Sequence, residues 1–309
     1  MQQIGIIVNP RSKSVKKSPR DMGKLYASIG GELADVRMTA DFGELETACR
    51  DFKSRGYPYI GITGGDGTIH QVMTRLFDVY GQGKLPRVVL LRGGTMDNIS
   101  RDLSVKGRGP AILKRLVSAL SCGGPVPTTS RDTITIEGRH GFIFGTGIIT
   151  NLLDEAYNVP DPNVMHNLAV AARALRDGFL DRPDSRIFRR MRARVAIDGA
   201  EIPFTDIIGV LAATVEHRGM GFRLLPRAHE EKGRFHALVS GLRPPQIAAQ
   251  VLRIKRGLPM KGELNFNGLG SRIDIAGDEP FSYTIDGDLY QCAGRLTVEI
   301  GPGVNFVEV

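Results

Sequence analysis

Apolar residues along the first third of the chain follow two alternating rhythms. Residues 4–8, 59–62 and 88–91 are short, mostly apolar runs, each ending in a turn-forming or glycine-bearing stretch. That is the pattern of strands buried on both faces. Between these runs the apolar positions return every three or four residues: Met22, Leu25, Tyr26 and Ile29; Leu45, Ala48, Cys49 and Phe52; Ile69, Val72, Met73, Leu76 and Phe77; Ile112, Leu113, Leu116, Val117 and Leu120. These spacings predict four amphipathic helices. Ser18-Pro19 offers the first a cap and a first-turn proline, Asp41 and Glu44 have the spacing of a capping box, and Pro110 opens the fourth. Gly30-Gly31 and Gly123-Gly124 stop the first and the fourth. Alternating strands and helices predict a parallel sheet covered on both faces.

After 123–127, a linker-like stretch rich in glycine and proline, the rhythm shortens. Residues 133–136, 141–144, 193–197, 207–211, 235–239, 263–266, 272–275 and 281–285 read as short strands, with helical interludes near 163–180 and 244–256. Closely spaced short strands predict a mainly antiparallel sandwich. The chain therefore divides into an α/β domain over 1–128 and a β-rich domain over 129–290. The pattern leaves open whether the last strand, read over 296–300 in the closing segment 291–309, returns to the first domain.

Composition narrows the partners little. The formal net charge is +8, which suits nucleic acid, an anionic membrane surface or phosphorylated ligands equally. No run of eighteen apolar residues occurs, and the N-terminus passes almost directly into an apolar run, so neither a membrane span nor a signal peptide is expected. Cys49, Cys122 and Cys292 are few, odd in number and far apart, which predicts a reducing, cytoplasmic setting without a disulfide framework. The six histidines show no metal-binding spacing.

The candidate chemistry lies in the turns. Gly64-Gly65-Asp66-Gly67-Thr68 stands between a predicted strand and a predicted helix. Glycines let a backbone approach a phosphate and adopt positive φ, and the helix start supplies unpaired N–H groups and a positive dipole end. Asp66 would repel phosphate directly, so organising a magnesium ion or its waters is its expected use, while Thr68 can cap the helix. A tight turn is the plainer reading, but three glycines around one acid exceed what a turn needs. A second loop, Arg92-Gly93-Gly94-Thr95-Met96-Asp97-Asn98, follows another strand, and a third, Asn9-Pro10-Arg11-Ser12-Lys13, follows the first. In a parallel sheet these loops share the carboxyl edge, where ligands bind. Asp286-Gly287 after an alternating run reads as a hairpin turn, and the Asp286, Asp288 spacing puts two carboxylates on one side of an extended chain.

Together these residues resemble the diacylglycerol kinase catalytic-domain family, which includes bacterial lipid kinases, sphingosine kinases and ceramide kinases. The resemblance rests on Asn9-Pro10, Gly64-Gly65-Asp66-Gly67-Thr68 and Gly93-Gly94-Thr95. It continues in Gly219-Met220-Gly221-Phe222 with Leu225-Pro226-Arg227-Ala228, and in Asp286-Gly287-Asp288. It implies an NAD kinase/diacylglycerol kinase-like fold, with a nucleotide domain followed by a β-rich lipid-binding domain. It implies transfer of the ATP γ-phosphoryl group to a lipid hydroxyl such as that of diacylglycerol or a sphingoid lipid. Asn9, Thr39, Gly64, Gly65, Gly67, Thr68, Gly93, Gly94 and Thr95 are then expected to hold the nucleotide. Asp286 is the expected general base, helped by Asp66 and Asp288, and Asp66, Asp97 and Asp288 are expected around magnesium. The chain departs from the family where Asp97-Asn98 reverses an Asn-Asp pair, where Lys13 replaces a glycine, and where Asp288 replaces a glutamate.

Arg182, Arg186, Arg189, Arg190, Arg192 and Arg194 crowd one segment, which reads either as a peripheral contact with an anionic inner-membrane surface or as a solvated strand face. In 164–180, Leu168, Ala171, Ala172 and Leu175 form the expected packing face, with a lid over an acyl chain as the alternative. No nucleic-acid partner is assigned, and a homodimer stays open. Two rivals remain: an NAD kinase, which shares the Gly-Gly-Asp-Gly-Thr loop, and a non-catalytic nucleotide- or lipid-binding regulator.

Overall fold

The structure is a computed structural model of the chain. It describes residues 3–81, 83, 85–94, 97–124, 126–157, 164–182, 185–216 and 223–309, with the backbone alone for 164–168. Two compact units emerge. The first takes in the chain up to Thr133, Gly138–Gly141 and Gly301–Val309, and the second takes in Ile134–Glu137 and Phe142–Ile300.

The first unit runs β1 (Ile4–Val8), α1 (Pro19–Gly30), β2 (Ala34–Met38), α2 (Phe42–Ser54), β3 (Tyr59–Thr63), α3 (Asp66–Tyr80), β4 (Arg87–Leu90), α4 (Asn98–Asp102) and α5 (Gly109–Ser121). The strands pair in parallel in the order β2-β1-β3-β4. Both faces are covered, as the alternation requires. Ile4, Ile6 and Val8 pack with Tyr26 of α1 and Ile112, Leu113 and Leu116 of α5. Gly5 points the other way, under α2, where a Cβ would stand 2.5 Å from the Phe52 ring. The last strand returns to this unit: Phe306 pairs in parallel with Val88.

Local signals hold with small changes. Asp41 accepts from the Glu44 N–H at 2.9 Å, but Glu44 reaches back to the Ala40 N–H at 2.7 Å, one residue earlier than in a capping box. Ser18 makes no side-chain cap, whereas Gly31 ends α1 with φ +52°. Strand β2 is an addition to the sequence reading.

Then follow β5 (Thr128–Ile136), β6 (Arg139–Gly141), β7 (Ile143–Gly147), α6 (Ile148–Tyr157), α7 (Val164–Phe179), β8 (Met191–Ile197), β9 (Ala200–Glu201), β10 (Asp206–Ile207), β11 (Gly209–Ala213) and β12 (Phe235–Ser240). The series ends with α8 (Pro244–Ala248), α9 (Val251–Lys255), β13 (Asn265–Gly270), β14 (Arg272–Gly277), β15 (Phe281–Ile285), β16 (Asp288–Cys292) and β17 (Arg295–Val307). In the second unit β13-β12-β11-β7-β15-β16 form an antiparallel sheet, while β14 pairs antiparallel with β8 on one side and with the first part of β17 on the other. One core joins the two layers: Val195, Ile197, Ile273, Ile275 and Val298 meet Phe144, Val210, Phe235, Tyr283 and Ile285. The second unit is thus a sandwich. The packing face of α7 differs from the expected one. Val170 and Asp177 are buried and Ala172 is exposed, while the side chain of Leu168 lies outside the described residues.

Candidate functional site

Strands β1, β3 and β4 are parallel, so the three loops that follow them emerge at one edge of the sheet. The structure joins them. Asn9 Nδ2 donates to Thr68 Oγ1 at 2.9 Å, tying the first loop to the start of α3. The Ser14 N–H donates to the Gly93 carbonyl at 3.3 Å. Thr39, after β2, is buried, and its N–H donates to the Val8 carbonyl at 3.0 Å.

The two glycine loops touch backbone to backbone. A Cβ on Gly94 would lie 2.5 Å from Gly65 Cα, one on Gly93 3.0 Å from the Gly64 nitrogen, and one on Gly64 2.3 Å from Thr68 Cβ. Gly65 has φ −91°, and Gly64, Gly93 and Gly94 are not among the positive-φ residues. These glycines therefore answer close packing, and positive φ falls instead on Arg92 (+40°) and Asp97 (+48°). Thr68 does not cap α3. Its N-cap is Gly65, without a side-chain cap bond, and the first-turn N–H groups have no intrahelical acceptor. Gly67 sits in that first turn. Thr95 and Met96 lie outside the described residues, as does the 219–222 segment.

Asp66 holds the second loop. Its Oδ2 accepts from the Asn98 N–H at 3.0 Å and from Asn98 Nδ2 at 3.1 Å, and its Oδ1 from the Ile99 N–H at 3.4 Å. Burial pushes its pKa up and the Asp97 charge adds to this, while the Asn98 and Ile99 hydrogen bonds oppose it. Asp97 turns away: its Oδ1 accepts from the Gly94 N–H at 2.9 Å, and its Oδ2 faces Arg92 Nε at 3.4 Å. The reversed Asp97-Asn98 pair thus has a local logic, with the acid closing its own loop and the amide reaching Asp66. Sequence reasoning gave Asn98 no such role, because its partner is 32 residues away.

Among the described residues no group of three or more His, Cys, Asp or Glu stands ready to hold a metal ion. One feature nonetheless suits a hydrated cation. Asn98 Oδ1 is buried without a hydrogen-bond partner, and its orientation is fixed because Nδ2 must face the Asp66 carboxylate. Magnesium keeps several waters and leans on one or two carboxylates plus substrate phosphates, so Asp66 Oδ1 and Asn98 Oδ1 fit as acceptors from those waters.

In the second unit, Asp286 and Gly287 form the two-residue turn between β15 and β16, with φ +50° and +96° and Ile285 paired to Asp288, as the hairpin signal predicts. Asp286 is buried, with 7% of the residue exposed. It accepts from the Phe142 N–H at 3.0 Å and the Ile143 N–H at 2.8 Å. Asp288 is half-buried at the start of β16. The arginine segment divides: Arg190 donates to Asp206 Oδ1 at 2.7 Å and to the carbonyls of Asp206, Gly241 and Leu242, so it is structural, whereas Arg182, Arg186, Arg189, Arg192 and Arg194 are exposed. No helix of the described residues is long and apolar enough to cross a membrane.

The three loops thus meet over one helix start at the carboxyl edge of the parallel sheet of the first unit, the edge at which α/β folds in general bind ligands. Residues 3–122 match the model of the diacylglycerol kinase catalytic domain. Solved structures from Bacillus anthracis str. Sterne share its fold. One, named as a candidate diacylglycerol kinase, is 16% identical with a TM-score of 0.74. A second, named as a diacylglycerol kinase, is 16% identical with a TM-score of 0.66. Each comparison covers 100% of this chain and 97% of the other. Comparison with curated proteins gives no match.

Proposed function

We propose that this protein transfers the γ-phosphoryl group of ATP to a lipid hydroxyl, of the diacylglycerol or sphingoid kind. The observation that carries the proposal is the joining of Asn9–Thr68, Gly65–Gly94 and Asp66–Asn98 around the start of α3, within the segment that matches the kinase family. Phosphoryl transfer is largely positioning and charge neutralisation. The first-turn N–H groups of α3 serve as the phosphate cradle, and Asp66 holds the Gly93-Gly94 loop in place through Asn98. Magnesium, when bound, supplies charge neutralisation at the phosphates, with Asp66 and Asn98 holding its waters.

Asp286 is the proposed base. The Phe142 and Ile143 N–H groups hold its carboxylate in a fixed orientation. In the step, the lipid oxygen bonds to the γ-phosphorus, its proton passes to Asp286, and the bond from the γ-phosphorus to the bridging oxygen breaks to release ADP. The test is incubation with γ-labelled ATP, magnesium, NAD and a total lipid extract, followed by identification of the labelled product. A labelled lipid is expected. Label appearing on NAD instead would establish the nucleotide-kinase reading. Nucleotide binding without any transfer would establish the regulator.

A further inference from the structure

We propose that the α9 knob of the second unit is a docking element for an anionic bilayer surface. Residues 243–262 contain five lysines and arginines and no aspartate, glutamate or aromatic residue. The knob is framed from inside. Gln250 Nε2 donates to the Lys261 carbonyl at 3.0 Å and Gln250 Oε1 accepts from the Lys261 N–H at 2.5 Å, closing its base. Arg253 Nη2 donates to the Pro259 carbonyl at 3.0 Å, and the Leu258 N–H donates to the Arg253 carbonyl at 3.0 Å. Ile254 is buried, and Met260 packs on Leu211, Leu225 and Leu238.

With its frame fixed, the knob turns leucines outward. Leu252 is 66% exposed and Leu258 45%, and Lys255, Arg256, Pro259 and Lys261 are exposed around them. Apolar tips ringed by unpaired cations match the boundary of an anionic bilayer, where leucine enters the acyl region and the cations meet lipid phosphates. A nucleic acid would engage the cations alone, since the knob offers no aromatic ring for a base. The inference does not depend on phosphoryl transfer, and its test contains no nucleotide.

The test is co-sedimentation of the full chain with phosphatidylcholine vesicles, with and without phosphatidylglycerol. Binding is expected to the anionic vesicles. Leu252→Ser and Leu258→Ser should each weaken it about tenfold, and Lys255→Gln and Arg256→Gln about fivefold each, with a shallower salt dependence. Melting temperature should not move, because these side chains are exposed. The chain has no tryptophan, so Leu252→Trp is a unique reporter whose emission should shift to the blue on anionic vesicles. Sedimentation with unshifted emission, or undiminished binding by the double serine variant, would overturn the proposal. So would equally tight binding to single-stranded DNA or an acidic peptide that survives loss of the leucines.

Discussion

Asp66 is the residue through which one loop fixes another. Three donors of the 98–99 segment converge on its carboxylate in a buried setting. Asp66→Ala strands all three, and a buried donor left unpaired costs about 1–3 kcal/mol. Asn98→Ala removes one donor and keeps the two backbone bonds, so its cost should be about 1 kcal/mol. Urea unfolding of both variants checks the order, and equal losses would show that the backbone bonds carry nothing. ATP affinity should follow the same order, because the Gly93-Gly94 loop is held through these bonds. Asp286 demands a finer comparison. Asparagine tolerates its left-handed φ of +50° and keeps one acceptor for the Phe142 and Ile143 N–H groups. Asp286→Asn should therefore cost about 1 kcal/mol of stability, while turnover falls about 10²–10⁴-fold if the carboxylate is the base. Full turnover in the folded fraction would leave Asp286 a turn residue only.

At the scale of elements, the sequence rhythm was readable wherever one face of a strand or helix had to be buried. β1, α3 and α5 show it plainly. β2 escaped because it is the edge strand, and Asp35 and Arg37 occupy it as an ion pair at 2.9 Å, joined by Asp51. α6 escaped because it follows β7 directly, with the single Gly147 (φ +68°) turning the chain between them. β17 was cut short because Gly301-Pro302-Gly303 interrupt its apolar pattern, although the strand runs on to Val307. The glycine loops were found, but their reason was only half legible, since sequence places Gly65 and Gly94 far apart and cannot show their contact. That contact makes a prediction. Gly94→Ala puts a Cβ 2.5 Å from Gly65 Cα and 2.6 Å from Asp97 Oδ1, where backbone must give way. It should cost about 1–3 kcal/mol as overpacking and abolish measurable ATP binding. Gly43→Ala, on exposed α2, meets only Asp41 Oδ1 at 3.4 Å and should stabilise by up to about 1 kcal/mol. Calorimetric titration with ATP, beside thermal melts, separates the two, and intact ATP binding by Gly94→Ala would show that the loops need not touch.

At the scale of the whole molecule, the chain passes between its two units after Thr133, Glu137, Gly141 and Ile300. One four-residue excursion, Gly138–Gly141, is pinned to α3. The His140 N–H donates to Thr74 Oγ1 at 3.0 Å, and its carbonyl accepts from His70 Nδ1 at 2.7 Å, which fixes the His70 proton on Nδ1. The His140 ring lies 4.1 Å from the Phe77 ring, centroid to centroid. Burial there lowers its pKa from 6.5 to about 4, with the nearby His70 charge acting the same way and Asp78 opposing. In the unfolded chain the ring takes a proton near its ordinary value; in the folded chain it refuses one until about pH 4. The stability associated with the neutral ring is thus fully present above about pH 6.5 and is lost as pH falls towards about 4, by at most about 3 kcal/mol. His236 in the second unit, lowered chiefly by burial, acts in the same direction. Urea unfolding across that window should show stability falling with acid. His140→Gln keeps both backbone hydrogen bonds and removes the titrating ring, so its curve should be flatter by most of that amount. A variant curve that runs parallel to the parent's would place the acid sensitivity elsewhere and leave His140 a packing residue.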